Sequence, residues 1–215
     1  MCSIFGSFSK DKLVELAELN MYRGQHSYSF SFYDPYNRHI TYMQRSLGSI
    51  PLDQIRIPKG EYCIAHMQAP TTDNKSDKTI HPANIGQHYL WHNGIVKDKW
   101  VKEYSSNILI GPNAPISWDT FLILYKYLTT GSLNDIDGTF SCLYYRDGEG
   151  LELFRNEISP MFVDEESNIS STKFNRSFSL EPNKVWTFNP GQPIINSMGS
   201  FNTVENPYFF MDEVK

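Results

Sequence analysis

Cys2 is the residue whose type and place first suggest chemistry. Once Met1 is removed, a cysteine in second position carries both a thiol and a free α-amine. Such an amine titrates near ~7.7–8.0, so it accepts a proton at working pH. Nucleophile and base then share one residue, the self-based form of nucleophilic catalysis. The apolar Ile4-Phe5 followed by Gly6 predicts a buried strand that would hold the new terminus rigidly.

Other chemistry-bearing types have plainer readings. Cys63 and Cys142 lie in apolar, strand-like runs and read as small core residues. Three widely spaced cysteines make neither a disulfide framework nor a zinc pattern, which points to a reducing, cytoplasmic compartment. His66, His81, His88 and His92 could suggest a metal. The i, i+4 spacing of His88 and His92 has no ligand logic on a strand, so no metal and no cofactor is expected. Taken alone, Asn93-Gly94 reads as a hairpin turn. Asp119 reads as a carboxylate favoured by a helix dipole.

The elements that must position these groups follow from periodicity. Ser9 caps a helix carrying Leu13, Leu16, Ala17 and Asn20, which stops near Arg23-Gly24. Ser27 to Tyr33 alternates serines with aromatics and predicts a half-buried strand. Asp34 to Asn37 is a turn, and Ile40 to Arg45 returns as a strand. Glu61 to Met67 and His88 to His92 are further strands, the second breaking at Asn93-Gly94; Asp73 to Lys78 is an exposed loop. A loop of weak periodicity follows, then a helix over Ser117 to Thr130. Thr139 to Tyr145, Leu151 to Arg155, Met161 to Asp164 and Lys184 to Phe188 predict strands, with Asn168 to Thr172 a polar loop. Many strands with two clear helices give an α+β class, with stacked sheets and helices outside.

The chain has 215 residues, 40% of them hydrophobic, enough for a proper core. No internal repeat or linker divides it. One domain over 1–215 is expected, with an irregular tail from about 190. A formal charge of −5 and no basic block argue against direct nucleic-acid binding. No apolar run approaches the ~18 residues of a membrane span, and the start lacks a signal-peptide pattern.

Several local patterns, in chain order, resemble the class II glutamine amidotransferases of the N-terminal nucleophile hydrolase superfamily. Met1-Cys2-Ser3-Ile4-Phe5-Gly6 is similar to that family's start, and Tyr22-Arg23-Gly24-Gln25-His26-Ser27 to its "yRGxDS". His66-Met67-Gln68-Ala69-Pro70-Thr71 resembles "GHxRxxT"; His81-Pro82 with His92-Asn93-Gly94-Ile95 resembles "HP…HNGxI". Asp119-Thr120 resembles "DTE" at a helix start, and Gly138-Thr139-Phe140 with Arg155 to Pro160 resembles its late strands. The resemblance covers residues 2 to 165 and implies a four-layer αββα sandwich.

It also implies roles. Cys2 would attack the side-chain amide of L-glutamine, giving glutamate and ammonia through a thioester. Asn93 and the Gly94 N–H would form the oxyanion hole, a feature worth ~2.7–4 kcal/mol of barrier per donor. Asp119 would bind the substrate ammonium, with Arg23 and Thr71 shaping the pocket. No ATP or phosphate-loop motif is present, so a separate synthetase subunit would use the ammonia.

The pattern departs from the family at three places. Gln68 stands where the family has the arginine that pairs with the substrate carboxylate; Gln25-His26 replaces an acidic residue, and Phe121 a glutamate. A neutral amide donates hydrogen bonds but brings no charge. Another cation among Arg23, Arg45 and Arg155 supplies it, or glutamine binds weakly until a partner closes the site, or the substrate is another amide, such as a γ-glutamyl compound. A non-catalytic module on the same fold is the reading from a different class.

Overall fold

The computed structural model describes residues 2–69, 79–108, 114–194 and 197–204. Two antiparallel sheets face each other, with helices on both outer faces. The first has the order β11-β9-β10-β1-β4-β2-β3. It is built from β1 (Ser3–Ser7), β2 (Ser27–Asp34), β3 (His39–Leu47), β4 (Tyr62–Gln68), β9 (Phe162–Val163), β10 (Ile169–Ser170) and β11 (Phe178–Ser179). The second runs β13-β12-β8-β7-β6-β5. It comprises β5 (Ala83–Ile85), β6 (His88–Val96), β7 (Gly138–Arg146), β8 (Gly150–Arg155), β12 (Lys184–Phe188) and β13 (Ser197–Ser200). The expected αββα sandwich is therefore the one found.

Three apolar clusters mark the interfaces between layers. Helix α1 (Lys10–Asn20) lays Leu13, Leu16 and Ala17 on Phe5, Phe30, Cys63 and Ala65 of the first sheet. Its N-terminus is capped as expected, Ser9 accepting the Lys12 N–H at 3.3 Å. Ile4, Ile64, Trp91 and Leu143 pack between the sheets. Helix α3 (Asp119–Thr130) places Phe121, Leu122 and Leu124 on Leu90, Phe140, Cys142 and Phe154 of the second sheet. Cys63 and Cys142 are core residues, as their apolar surroundings predict.

The fold departs from the sequence reading in several places. β6 does not break at Asn93-Gly94 but pairs with β7 through Val96↔Gly138. A two-residue hairpin turn needs left-handed backbone at its centre; here Asn93 and Gly94 are extended and paired with Ser141 and Phe140. β2 is buried on both faces rather than one, because Ser27, Ser29 and Ser31 face the second sheet. Residues 98–106 form α2 (Asp98–Ser106) where a loop is expected. That helix has no side-chain N-cap, and Trp100, Val101 and Tyr104 form a short apolar stripe packed only part-buried against the α3-side core.

Met161 to Asp164 does not continue the β7-β8 hairpin; β9 belongs to the opposite sheet. Asn168 to Thr172 is not all loop, for its Ile169–Ser170 form β10, paired with β1, and Asn168, Ser170 and Ser171 are buried. β13 pairs with β12 where a tail is expected, and Phe201 enters the α3-side core. The expected loop at Asp73 to Lys78 lies outside the described residues.

Candidate active site

Strand alternation decides which side chains enter the space between the sheets. On β1, Ile4 belongs to the inter-sheet core and Phe5 to the α1 side, which puts Cys2 with Ile4. On β4, Ile64 faces inward while Cys63, Ala65 and Met67 face α1, so His66 and Gln68 point inward. On β6, Trp91 faces inward and Leu90 and Val96 face α3, so Asn93 points at the first sheet. β1 and β6 pack against each other across this gap. The inter-sheet layer is thus apolar at one end and polar at the other, where Cys2, Ser27, His66, Gln68 and Asn93 lie.

Cys2 is 6% exposed, and its thiol donates to the Ala69 carbonyl at 3.7 Å. Burial pushes the thiol up to about 12; the negative field of Asp119 adds to the rise, while a main-chain hydrogen bond at Ala69 and the charge of Arg23 oppose it. A polar segment that sequence reading passed over fastens this end of β1. The Ile4 N–H donates to Ser171 Oγ at 3.0 Å, and the Ser171 N–H donates to the Ile4 carbonyl at 2.9 Å.

Arg23 closes the 3-10 turn Met21–Arg23. Its guanidinium donates to Thr172 Oγ1 at 3.0 Å and to the Ser171 carbonyl at 3.2 Å. The next residue must be glycine, since a Cβ on Gly24 would run into the main chain at Gln68 and Ala69. The three candidate cations now separate. Arg155 is consumed by the Leu180, Asn156 and Glu157 carbonyls and Ser179 Oγ. Arg45 clamps the Ile80 and Pro82 carbonyls at 3.2 and 3.1 Å. Arg23 is the one whose charge reaches Cys2.

Asn93 is buried, and its side-chain N–H donates to Ser141 Oγ at 3.4 Å. β5 reaches only as far as Leu90, so among the described residues no strand pairs with the later part of that edge of β6. In an antiparallel pair, N–H groups of alternate residues point to opposite edges. Ile95 and Lys97 donate toward the β7 side, at Thr139 Oγ1 and the Asp137 carbonyl. Val96 donates the other way, to Asp119 Oδ2 at 3.4 Å. The Gly94 N–H shares this edge with that of Val96. A Cβ at Gly94 would collide with the Thr139 carbonyl, so this close strand approach requires glycine.

Asp119 opens α3, where a carboxylate is favoured by the helix dipole. It accepts the Thr120 N–H at 2.7 Å and lies 3.8 Å from His92 Nδ1. Behind it, three buried histidines meet. His66 and His81 stack at 3.9 Å between centroids, and Trp118 sets its ring edgewise on His81 at 5.1 Å. His66 Nε2 bonds the His92 carbonyl at 3.0 Å. Burial pushes His66 down to about 3 and lowers His81 and His92 as well. With a neutral ring, the 3.8 Å approach of His92 Nδ1 to Asp119 is not an ion pair, and it is too long for a hydrogen bond.

Of the predicted site residues, Cys2, Arg23 and Asp119 are electrostatically joined, and Asp119 is tied to the strand of Asn93 and Gly94. Gln68 faces the same space, and Thr71 lies outside the described residues. Sequence reading assigned no role to His81, Thr120, Ser171 or Thr172. The available signal was polar residues where an apolar one would pack. No group of three or more His, Cys, Asp or Glu suited to a metal occurs among the described residues.

Solved structures share this fold. The glutamine phosphoribosylpyrophosphate amidotransferase from B. subtilis, complexed with ADP and GMP, superposes with a TM-score of 0.59 at 15% identity. It covers 87% of this chain and 47% of its own. A structure of the allosteric regulatory enzyme of purine biosynthesis gives 0.61 at 14% identity, over 88% of this chain and 47% of its own. The chain therefore spans about half the length of either. This is the N-terminal nucleophile hydrolase fold. A glutamine aminotransferase class-II domain protein from Silicibacter pomeroyi matches at a TM-score of 0.48 and 13% identity, over 89% of this chain and 99% of that one. No protein-family model and no curated protein matches the sequence.

Proposed function

We propose that this chain is a class II glutamine amidotransferase subunit that hydrolyses L-glutamine to glutamate and ammonia and passes the ammonia to a separate synthetase. The observation that carries the reading is the place of Cys2. It sits at the start of a central strand, turned between the sheets, within the fields of Asp119 and Arg23, on a fold shared with a glutamine-dependent amidotransferase.

With Met1 removed, the Cys2 α-amine takes the thiol proton as sulfur attacks the side-chain carbon of glutamine. Burial disfavours a free thiolate at this position, so the amine takes the proton as the sulfur attacks. The negative oxygen is met by Asn93 Nδ2, whose second hydrogen stays available beside its bond to Ser141, and by the Gly94 N–H. The ammonium of Cys2 returns its proton to the departing nitrogen, leaving a thioester. Water, deprotonated by the same amine, attacks the thioester carbon; the C–S bond breaks, glutamate leaves, and the ammonium returns its proton to the Cys2 sulfur. Asp119 holds the substrate ammonium, Arg23 and Gln68 serve its carboxylate end, and Thr71 completes the pocket.

Three unpaired, buried thiols accord with a reducing cytoplasm, and residues 1–215 act as one domain in this reading. Among the described residues no helix is long and apolar enough to cross a membrane. The neutral Gln68 favours one second reading, hydrolysis of another γ-glutamyl amide by the same machinery.

The test is glutamate release from L-glutamine and from a panel of γ-glutamyl amides by the wild type and by Cys2→Ala. Release from glutamine that vanishes in Cys2→Ala is expected. Preference for another amide moves the substrate assignment, and no release above the Cys2→Ala background rejects both. An intact mass lower by one methionine is expected, whereas a retained Met1 would point to a non-catalytic module.

A further inference from the structure

Gln68 is not loose in its position. Its Oε1 accepts the Ser27 hydroxyl at 3.0 Å and lies 3.2 Å from His81 Nδ1. The other nitrogen of His81 lies 3.0 Å from Thr120 Oγ1, which is also 3.2 Å from His92 Nδ1. His81 itself is fixed. His66 stacks on its ring, Trp118 meets it edge-on, and Arg45 grips the carbonyls on either side of it.

Hydrogen counting orients this chain of groups. His81 is neutral, because burial and the nearby His66, His92 and Arg45 all oppose its charge. A neutral imidazole carries one hydrogen. Gln68 Oε1 only accepts, so that hydrogen is on His81 Nδ1. Nε2 is then a lone pair and, at 3.0 Å, takes the single hydroxyl hydrogen of Thr120 in preference to Asp119 Oδ1 at 3.4 Å. The Thr120 oxygen in turn accepts from His92 Nδ1 at 3.2 Å, a closer partner for that ring's single hydrogen than the Thr139 carbonyl, 3.5 Å from Nε2. Donation runs one way, from His92 through Thr120 and His81 to Gln68. With Ser27 and His81 both on Oε1, the amide NH2 of Gln68 is turned from the cluster as a pair of donors.

We propose that His81 is a positioning residue for substrate specificity: held by Thr120, it sets the Gln68 amide so that its NH2 faces the substrate carboxylate, a neutral donor pair beside the charge of Arg23. The inference rests on the glutaminase reading above. His81 touches no reacting atom and acts only through Gln68.

The experiment compares full-length wild type, His81→Ala, His81→Asn, Gln68→Ala, Gln68→Glu and the His81→Ala/Gln68→Ala double variant. Steady-state kinetics with L-glutamine are read together with calorimetric binding of L-glutamine to the same series on a Cys2→Ala background. His81→Ala is expected to raise KM about tenfold, the size of one lost hydrogen bond to a charged group, with kcat within twofold. The double variant is expected to match Gln68→Ala, because His81 has nothing left to orient. His81→Asn, which keeps a donor near the Nδ1 position, restores most of the affinity. Multiplying KM effects in the double variant, a kcat loss at constant KM, or no rescue by His81→Asn would overturn the assignment. Should His81→Ala fail to fold, Gln68→Glu carries the test. It keeps an acceptor for His81 but has no donor for substrate, so an unchanged KM would be contrary to the proposal. An active wild type with these contrary results removes only the role of His81. A wild type that releases no glutamate, with no glutamine bound by Cys2→Ala, removes the glutaminase reading and this inference with it.

Discussion

The Asp119 carboxylate accepts the main-chain N–H of Val96 at 3.4 Å, so the first residue of α3 is fastened to the strand that carries Asn93 and Gly94. Groups from a helix start and a strand edge thereby keep one relative position. In the proposed reaction that contact links the ammonium-binding carboxylate to the oxyanion donors.

Asp119→Asn keeps the shape and an acceptor but removes the charge. Losing a charge-assisted contact to the substrate ammonium costs roughly 1.5–3 kcal/mol. A KM for glutamine at least tenfold higher is expected, with an unchanged far-UV spectrum. An unaltered KM would mean that the ammonium is held elsewhere.

Asn93→Ala removes one oxyanion donor while leaving the β6–β7 main-chain pairing intact. Removal of such a donor lowers kcat by about 10²–10³. Stopped assays of ammonia release at saturating glutamine check this, and a kcat within threefold of wild type argues against the assigned hole.

Gly94→Ala sets a methyl group against the Thr139 carbonyl, on backbone that cannot swing aside. Overpacking of this kind costs about 1–3 kcal/mol. A lower urea midpoint is expected together with loss of turnover, because the Gly94 N–H moves with its strand. Wild-type stability in this variant would show that the two strands are further apart than described.

The buried histidines predict an acid-sensitive fold. His66 stays neutral in the folded chain down to about pH 3, against 6.5 for a solvated ring, because burial disfavours its charge. Above pH 6.5 neither state binds the proton, and this group contributes no pH dependence. Below 6.5 the unfolded chain takes up a proton that the fold excludes, so stability falls as pH falls, by about 1.4 kcal/mol per unit for this ring. His81 and His92 act in the same direction. Urea midpoints are expected to drop between pH 6.5 and 5 at constant slope, and a flat midpoint over that window contradicts neutral burial.

Local chemistry alone determined a good part of this molecule. Ser9 capping α1, the aromatic alternation of β2 and the stripe of α3 are short-range signals, legible because capping and periodicity act within a few residues. Order and spacing of short patterns also pointed to Cys2, Asn93, Gly94 and Asp119. Only the tertiary structure decided which face each strand buries on its polar side. Ser27, Ser29 and Ser31 read as the polar face of a half-buried strand until a second sheet covers them. Asn93-Gly94 reads as a turn until β7 pairs along it, since strand partners more than forty residues apart outweigh a dipeptide's turn preference. The polar run Asn168 to Thr172 reads as a loop, yet its hydrogen bonds end on Ile4, Asn20 and Arg23. Those partners lie about 150 residues away in sequence, a distance at which no local pattern carries information.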